Sequence, residues 1–484
     1  MSSSVVTRFA PSPTGYMHIG NLRTALYAYL IARHAQGRFI LRIEDTDRER
    51  LVEGATDVIL STLSMTGLDY DEGHLVGGDH GPYIQSERLP IYHKYAKELV
   101  EKGHAYYCFC DKERLEQLHD DSTGGGYDRH CRNLSKEEVE AKLASGTPYV
   151  IRQKIPLEGK TSYVDAVFGE IVTDNAELQD QILMKADGYP TYNFAHVVDD
   201  HLMEVSHVVR GSEYLTSTPK YALLYDAFGW ERPVYVHLPL LMGKNEDGSV
   251  SKLSKRHGSV SFQDLVMQGF LPEAIINYIA LLGWCPSGSE TEFFSREELI
   301  AAFTIDGISK SPSVFDYDKL LWFNGEYIRA LPFERFIQLV VPYIKPLPAF
   351  IDQEKMLRLL HTRLSVLSEA EDKIAFLRFL PAYDPELFVN KKNKVTKESA
   401  LTILEKALPV LCACDSFDND TLFTALLSIA EEMGCKSGAV MWCVRIAVSG
   451  MAVTPGGATE IMEVLGREES LSRMEHAINL LQNH

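Results

Sequence analysis

The sequence predicts an α/β protein whose parallel sheet is interrupted by an inserted mixed α/β segment and followed by an all-α half. Three observations carry that expectation. A strand, a Pro- and Gly-rich loop, an amphipathic helix and a second strand follow one another between residues 5 and 47. A Cys-bearing, strand-rich stretch runs from 93 to about 195. From about 263 onward, helical periodicity dominates.

The first strand is "VVTRFA" (5–10). Val6, Arg8 and Ala10 share one face, and Val5, Thr7 and Phe9 share the other. Residues 11–20, "PSPTGYMHIG", cannot fill a core. Leu22, Leu26, Tyr29 and Leu30 then form a helical stripe. Gly37 stops the helix, and "GRFILRIEDTD" (37–47) returns to a strand. Such a unit builds a parallel sheet through a right-handed crossover. Ligands of these sheets sit between a strand's carboxyl end and a helix N-terminus, where free amides and the positive dipole end suit phosphate. His18 can donate to phosphate oxygens, and Gly20 lets a nucleotide approach the backbone. No G-x-x-x-x-G-K-[ST] loop occurs, so this is not a Walker site.

In the insertion, "DDSTGGGYDRH" (120–130) reads as a mobile turn region. "PYVIRQKI", "TSYVDAVFGEIVTD" and "QILMKADGYPTYNFAHVVDD" read as strands with polar turns. "EVSHVVRGSEYLTSTPKYALLYDAFGW" reads as strand, loop and helix, resuming the parallel sheet. The stretch 237–262, "HLPLLMGKNEDGSVSKLSKRHGSVSF", reads as a strand running into a polar, mobile loop. Its Lys252 and Lys255 are spaced to reach around a triphosphate. "NKKNKVTK" (390–397) reads as a basic linker.

Composition narrows the class. The chain has 484 residues, 45% apolar and 24% charged, ordinary for a folded protein of two to four domains. The N-terminus resembles neither a secretory signal nor a transit peptide, and no apolar run is long enough to span a bilayer, so a cytoplasmic protein is expected. The net charge of −19 weighs modestly against nucleic-acid binding, although a local basic patch survives any average. Eight cysteines in such a length are too sparse for a disulfide framework.

"HIGN" and "KLSKR" together resemble the HIGH-type and KMSKS-type signatures of class I aminoacyl-tRNA synthetases. The flanks "RFAPSPTGYMHIGNLRTAL", "RIEDTDRER", "YPTYNFAHVVDD", "VVRGSEYLTSTP" and "KLSKRHG" are similar to the bacterial-type glutamyl-tRNA synthetases. So are "VFDYDKLLWFNGEYI", "VRIAVSG" and "EVLGREESLSRMEHAI" further on. Asn21, where the wider class has a second His, is the glutamyl branch's habit. The resemblance covers nearly the whole chain.

The resemblance implies a Rossmann-like catalytic domain over 1–92 and 196–250, with an inserted acceptor-stem-binding domain at 93–195. It implies a stem-contact domain with the KLSKR loop at 251–328 and a helical anticodon-binding region at 329–484, divided near 385. It implies two reactions: glutamate and ATP give glutamyl-adenylate, and the 3′-terminal ribose of tRNA-Glu, or also of tRNA-Gln, takes the glutamyl group. His18, Lys255 and the less central Lys252 would act on the phosphates with Mg²⁺. Gly20, Asn21 and Glu213 would complete the ATP site. Arg8 and Arg210 would hold the glutamate side-chain carboxylate, since a planar guanidinium binds carboxylate bidentately. Glu44 would hold the α-ammonium, and Ala10, Ser12 and Tyr192 would line the pocket. His196 stands where relatives differ. Arg363, taken as a helix residue, is the candidate for anticodon discrimination. Relatives imply a monomer.

Cys108-x-Cys110 with Cys131 looks like three thiolate ligands of a structural zinc. Where some members have C-x-H, this chain has Asn133. Tyr127 matches a tyrosine ligand of a close relative and is the preferred fourth ligand. His130 and His104 are alternatives, and three metal-free thiols are the other reading.

Rival readings are a shorter tRNA-modifying relative, a simple adenylyltransferase, a non-catalytic paralogue and a glutaminyl-tRNA synthetase. The length and helical C-terminal half argue against the first; the second needs no tRNA domains; and the fourth is expected to have β-barrels where this chain reads helical. Intact His18, Lys255, Arg8 and Glu44 argue against the third.

Overall fold

The computed structural model describes residues 4–120, 127–245, 247–253, 261–286, 288 and 290–483, the side chains of 119 and 120 excepted. Two compact units form: Met1–Val266 with Ile275–Asp316, and Met267–Ala274 with Tyr317–His484.

In the first unit, β1 (Val6–Phe9) and β2 (Arg38–Leu41) pair in parallel, Val6 opposite Arg38 and Phe9 opposite Leu41. The crossover helix Ile19–His34 buries Leu22, Leu26, Tyr29 and Leu30, the stripe its period predicts. Gly37 ends this helix for a second reason. A Cβ there would lie 1.9 Å from the Val5 carbonyl oxygen, so only glycine lets the returning chain start β2 against β1.

The insertion contributes β3 (Ala105–Cys108), β4 (Val150–Gln153), β5 (Lys160–Asp165), β6 (Gly169–Asp174) and β7 (Ile182–Met184). The parallel pair β8 (His207–Gly211) and β9 (Val234–Leu238) follows. Antiparallel β3-β4-β7 forms one sheet. The hairpin β5–β6 leaves that sheet and joins another, in the order β6-β5-β9-β8. Its parallel link to β9 is the single pair Asp165 opposite Tyr235. Thus the insertion's second hairpin extends the sheet that carries β8 and β9. Ser206, immediately before β8, donates its amide to the Val6 carbonyl and so sets β1 beside β8.

Two local expectations are corrected. "QILMKADGYPTYNFAHVVDD" holds only the short β7; Tyr192–Leu202 is a helix. Phe194, Val197 and Val198 give it an apolar face in the core, and Asp199 and Asp200 are buried by ion pairs rather than exposed on a turn. Of the stretch read as a loop after residue 238, the segments 241–244 and 250–252 are strands, while 246 and 254–260 lie outside the described residues. β10 (Leu241–Lys244) pairs antiparallel with β11 (Val250–Lys252) and parallel with β12 (Ser313–Phe315).

The second unit is helical. One buried cluster includes Leu360, Phe376, Phe388, Leu404, Val444 and Leu465. "NKKNKVTK" is not a linker: Asn390 and Val395 bridge, Val395 is 3% exposed, and Thr396 caps the helix Lys397–Cys412. The lysines face water on a turn whose ends are tied to each other, so their charge reports the surface rather than a flexible join. No helix among the described residues is long and apolar enough to cross a membrane.

Candidate active site

A cavity of about 1050 Å³ opens at the carboxyl end of β1 and the N-terminus of helix Ile19–His34. Arg8, Ala10, Ser12, His18, Gly20, Asn21, Glu44, Tyr192, Arg210, Glu213 and Lys252 all line it. The structure therefore brings together every residue picked for ATP and glutamate except Lys255, which lies outside the described residues. Lys252 reaches the cavity from the end of β11, not from a loose loop.

His18 is the N-cap of its helix. Its Nδ1 accepts from the Gly20 amide at 3.3 Å, which places the proton of the neutral ring on Nε2. One helix-end amide is thereby committed to the imidazole, and the ring's N–H lies on the opposite nitrogen. A Cβ on Gly20 would meet nothing nearer than His18 Nδ1 at 3.7 Å, so the backbone there is open to a ligand.

Behind the cavity floor lies a charge lattice. Asp200 accepts from Arg8 Nε at 2.9 Å and from Arg42 Nη1 at 2.8 Å. Arg42 Nη2 also donates to Glu44 at 2.9 Å. Asp199 accepts from Arg88 Nε at 2.7 Å, Tyr92 at 2.8 Å and Gln85 at 2.8 Å. Arg42, Asp199 and Asp200 are 0% exposed. Burial drives the Asp200 carboxyl up, but Arg8 and Arg42 outweigh it and hold it well below the usual carboxylate range. Burial wins at Glu44 and raises its carboxyl despite Arg42. Glu44 uses one oxygen, Oε1, on Arg42 and Gln85. Its side chain still lines the cavity, so it can accept from an ammonium.

Arg210 is different in kind. Its Nε donates to His237 Nε2 at 3.1 Å, Nη1 to His196 Nε2 at 3.3 Å and Nη2 to Thr218 Oγ1 at 2.6 Å. None of the ion pairs among the described residues includes it. It is 4% exposed and lies over the rings of Tyr214, Tyr221 and Tyr235. Among the described residues, then, the cavity contains a buried cation whose hydrogen-bond partners are all neutral, which is what a carboxylate ligand requires. Arg8, picked beside it, already has its carboxylate in Asp200.

The comparisons with known proteins agree with this geometry. The family described as "tRNA synthetases class I (E and Q), catalytic domain" matches residues 4–322, and "Anticodon binding domain" matches 335–478. Glutamate–tRNA ligase of Clostridium botulinum (strain Hall) is 55% identical over 487 residues, covering 100% of this chain and 99% of that protein. The chain belongs to the glutamyl-tRNA synthetase family. A second relative, from Clostridium tetani, is 54% identical over 99% of both chains. The crystal structure of a glutamate–tRNA ligase from Elizabethkingia meningosepticum, in complex with its amino acid, superposes with a TM-score of 0.88 at 32% identity, covering 99% of this chain and 100% of that one. This synthetase is accordingly a class I glutamate–tRNA ligase, and the resemblance in its motifs extends to the whole fold.

Sequence reasoning missed Arg42, Arg88, Asp199 and Asp200. The signal was in view: "VVDD" places two adjacent acids on a helix whose Phe194, Val197 and Val198 are apolar. Acids inside an apolar pattern need buried cations.

The cysteine cluster lies away from the cavity. Cys108, Cys110 and Cys131 have their Sγ atoms within 4.8 Å of one another. Tyr127 Oη lies 3.1 Å from Cys108 Sγ and 3.8 Å from Cys110 Sγ. Cys110 is pushed up to about 12, by burial and by the Cys108 and Cys131 sulfurs. A cation among the three sulfurs would favour the thiolate form that burial and the neighbouring sulfurs oppose at Cys110. The donor set and spacing fit a tetrahedral zinc.

Proposed function

We propose that the Arg210 pocket selects glutamate by its side-chain carboxylate, with Glu44 accepting from the α-ammonium and Tyr192, Ser12 and Ala10 closing the walls. The observation that carries this reading is a buried guanidinium whose hydrogen-bond partners, among the described residues, are all neutral. Glutamine would leave Arg210 without a counter-charge, a large penalty in a dry pocket. His18, Asn21 and Gly20 take the ATP phosphates at the helix start, and Glu213 faces the ribose. Lys252, together with Lys255, neutralises the charge that builds on the phosphates, and a Mg²⁺ bound with ATP would share that load. Reactions at phosphorus need alignment and charge stabilisation more than acid–base help. Glutamate carboxylate attacks the α-phosphorus, pyrophosphate leaves, and the tRNA 3′-terminal ribose hydroxyl then takes the glutamyl group from AMP.

The acceptor stem would bind the 93–195 insertion, a stem-contact segment would occupy 251–328, and the anticodon would meet the helical region from 329, divided near 385. We take the enzyme to act as a cytoplasmic monomer. Arg363 is exposed in the turn that follows helix Gln353–His361, a correction to its placement on a helix. An exposed turn leaves its guanidinium able to reach a base edge. Charging with purified tRNA-Glu and tRNA-Gln tests the breadth. Exclusive charging of tRNA-Glu that Arg363→Gln relaxes by about tenfold, the worth of one bidentate base contact, supports Arg363. Charging of both tRNAs by the unaltered enzyme overturns its assignment.

Cys108, Cys110, Cys131 and Tyr127 would hold one zinc, tying the end of β3 to the turn at Cys131. The bound ion supplies structure, not chemistry. Elemental analysis of enzyme purified without chelator is expected to give about one zinc per chain, falling at least severalfold in Cys110→Ser. Metal-free protein with unchanged melting temperature would leave three reduced thiols.

A further inference from the structure

Asp165 ends β5, on the inserted hairpin that joins β9. It is 1% exposed, and His237 on β9 is 0% exposed. Asp165 Oδ2 accepts from His237 Nδ1 at 2.6 Å and from the His237 amide at 3.2 Å. Its Oδ1 accepts the amides of Val167 at 2.9 Å and Phe168 at 2.8 Å. An ionised carboxylate only accepts, so His237 carries its ring proton on Nδ1 and presents a lone pair on Nε2. That lone pair takes Arg210 Nε–H at 3.1 Å.

His196 repeats the arrangement. Its Nδ1 donates to the Tyr192 carbonyl at 2.8 Å, so its Nε2 accepts from Arg210 Nη1. The Thr218 hydroxyl donates to the Tyr214 carbonyl at 2.8 Å, which turns its lone pairs to Arg210 Nη2. Three of the five N–H groups of Arg210 are held by neutral acceptors. Among the described residues this leaves one N–H on each terminal nitrogen for a ligand carboxylate. Burial depresses both imidazoles, His196 to about 3 despite the opposing pull of Asp200, so neither adds a positive charge at neutral pH.

We propose that Asp165 and His237 are positioning residues that determine glutamate specificity: Asp165 sets the His237 tautomer, and His237 aims Arg210 at the substrate carboxylate without neutralising it. A carboxylate placed directly on Arg210 would orient it equally well but cancel the charge that selects glutamate over glutamine. The one-residue relay keeps Asp165 behind the ring. It also means that the insertion contributes to the amino-acid pocket as well as to the fold. The inference rests on the Arg210 reading above.

Asp165→Asn tests it with almost no change of volume. The Asn oxygen stays with the Val167 and Phe168 amides, so its NH₂ faces His237 Nδ1. The imidazole must then accept at Nδ1 and carry its proton on Nε2, against Arg210 Nε–H. We expect KM for glutamate to rise about 10- to 100-fold, by analogy with the loss of the carboxylate behind a metal-bound histidine. The preference for glutamate over glutamine should fall in step. KM for ATP, kcat at saturating glutamate and the melting temperature should stay close to those of the unaltered enzyme. His237→Phe should show the same KM pattern, and the double variant should lose no more than the worse single one, because both act through one hydrogen bond. Losses in kcat, ATP binding and melting temperature alike would make Asp165 merely structural and overturn the proposal. Unchanged glutamate KM and discrimination in Asp165→Asn, with Arg210→Gln severely impaired, would overturn this inference alone. Unimpaired Arg210→Gln would remove the reading beneath it.

Discussion

Arg210→Gln is expected to lower kcat/KM for glutamate on the order of 10³-fold, about 4 kcal/mol. The loss should fall on the amino acid and spare ATP. Arg210 is 4% exposed and has no carboxylate partner among the described residues, so no ion pair of the free enzyme is broken when its charge goes. The bound substrate would change a great deal, because its side-chain carboxylate would be desolvated with no cation opposite. Glutamine should become a comparatively better substrate. Steady-state charging at varied glutamate, glutamine and ATP decides the matter. If glutamate KM moved less than about threefold, equivalent to under 1 kcal/mol, Arg8 would have to be the carboxylate's partner, against its ion pair with Asp200.

Asp200→Ala is expected to destabilise the first unit by about 3–5 kcal/mol, the cost of removing one member of a buried ionic cluster. Arg8 and Arg42 would both lose their shared acceptor, at 2.9 and 2.8 Å, in a site where Arg42 and Asp200 are 0% exposed. Chemical denaturation reads this as a lower midpoint for the transition of the first unit. A drop under about 1 kcal/mol, the worth of a surface ion pair, would mean the two guanidiniums find other acceptors. The acid limb follows from the direction of the shift. Asp200 has a folded pKa below its unfolded one, so its contribution is present above the ordinary carboxylate range and is lost as pH falls through the folded value. Asp200→Ala should therefore flatten the fall of stability on acidification.

Local pattern carried some features of this enzyme without help from the rest of the chain. The stripe Leu22, Leu26, Tyr29 and Leu30 became a buried helix because side-chain period alone decides which face a core can cover. His18 and Gly20 fell at the head of that helix, where backbone chemistry is the same in any protein. By contrast, "PTYNFAHVVDD" read as strand and became helix. Its apolar residues admit either period over so short a run, and packing against Tyr92 and Tyr221 settled it. "NKKNKVTK" read as a linker because lysines look alike on a tether and on a tied turn. The difference lies in the Asn390–Val395 bridge and buried Val395.

The amino-acid sequence on its own determined the class of chemistry: which residue types stand at the strand–helix junction, and which arginines and acids are available to grip a charged substrate. Folding decided the assignments among them. Arg8 and Arg210 are indistinguishable in the chain, both on strands beside apolar residues. Only the approach of Asp200 to the first, and of His237 and His196 to the second, gives one a carboxylate partner and the other neutral ones. Those partners come from distant parts of the chain, and Asp165 from a different hairpin. Charge compensation in a buried site depends on separations of about 3 Å through space, which spacing along the backbone does not encode.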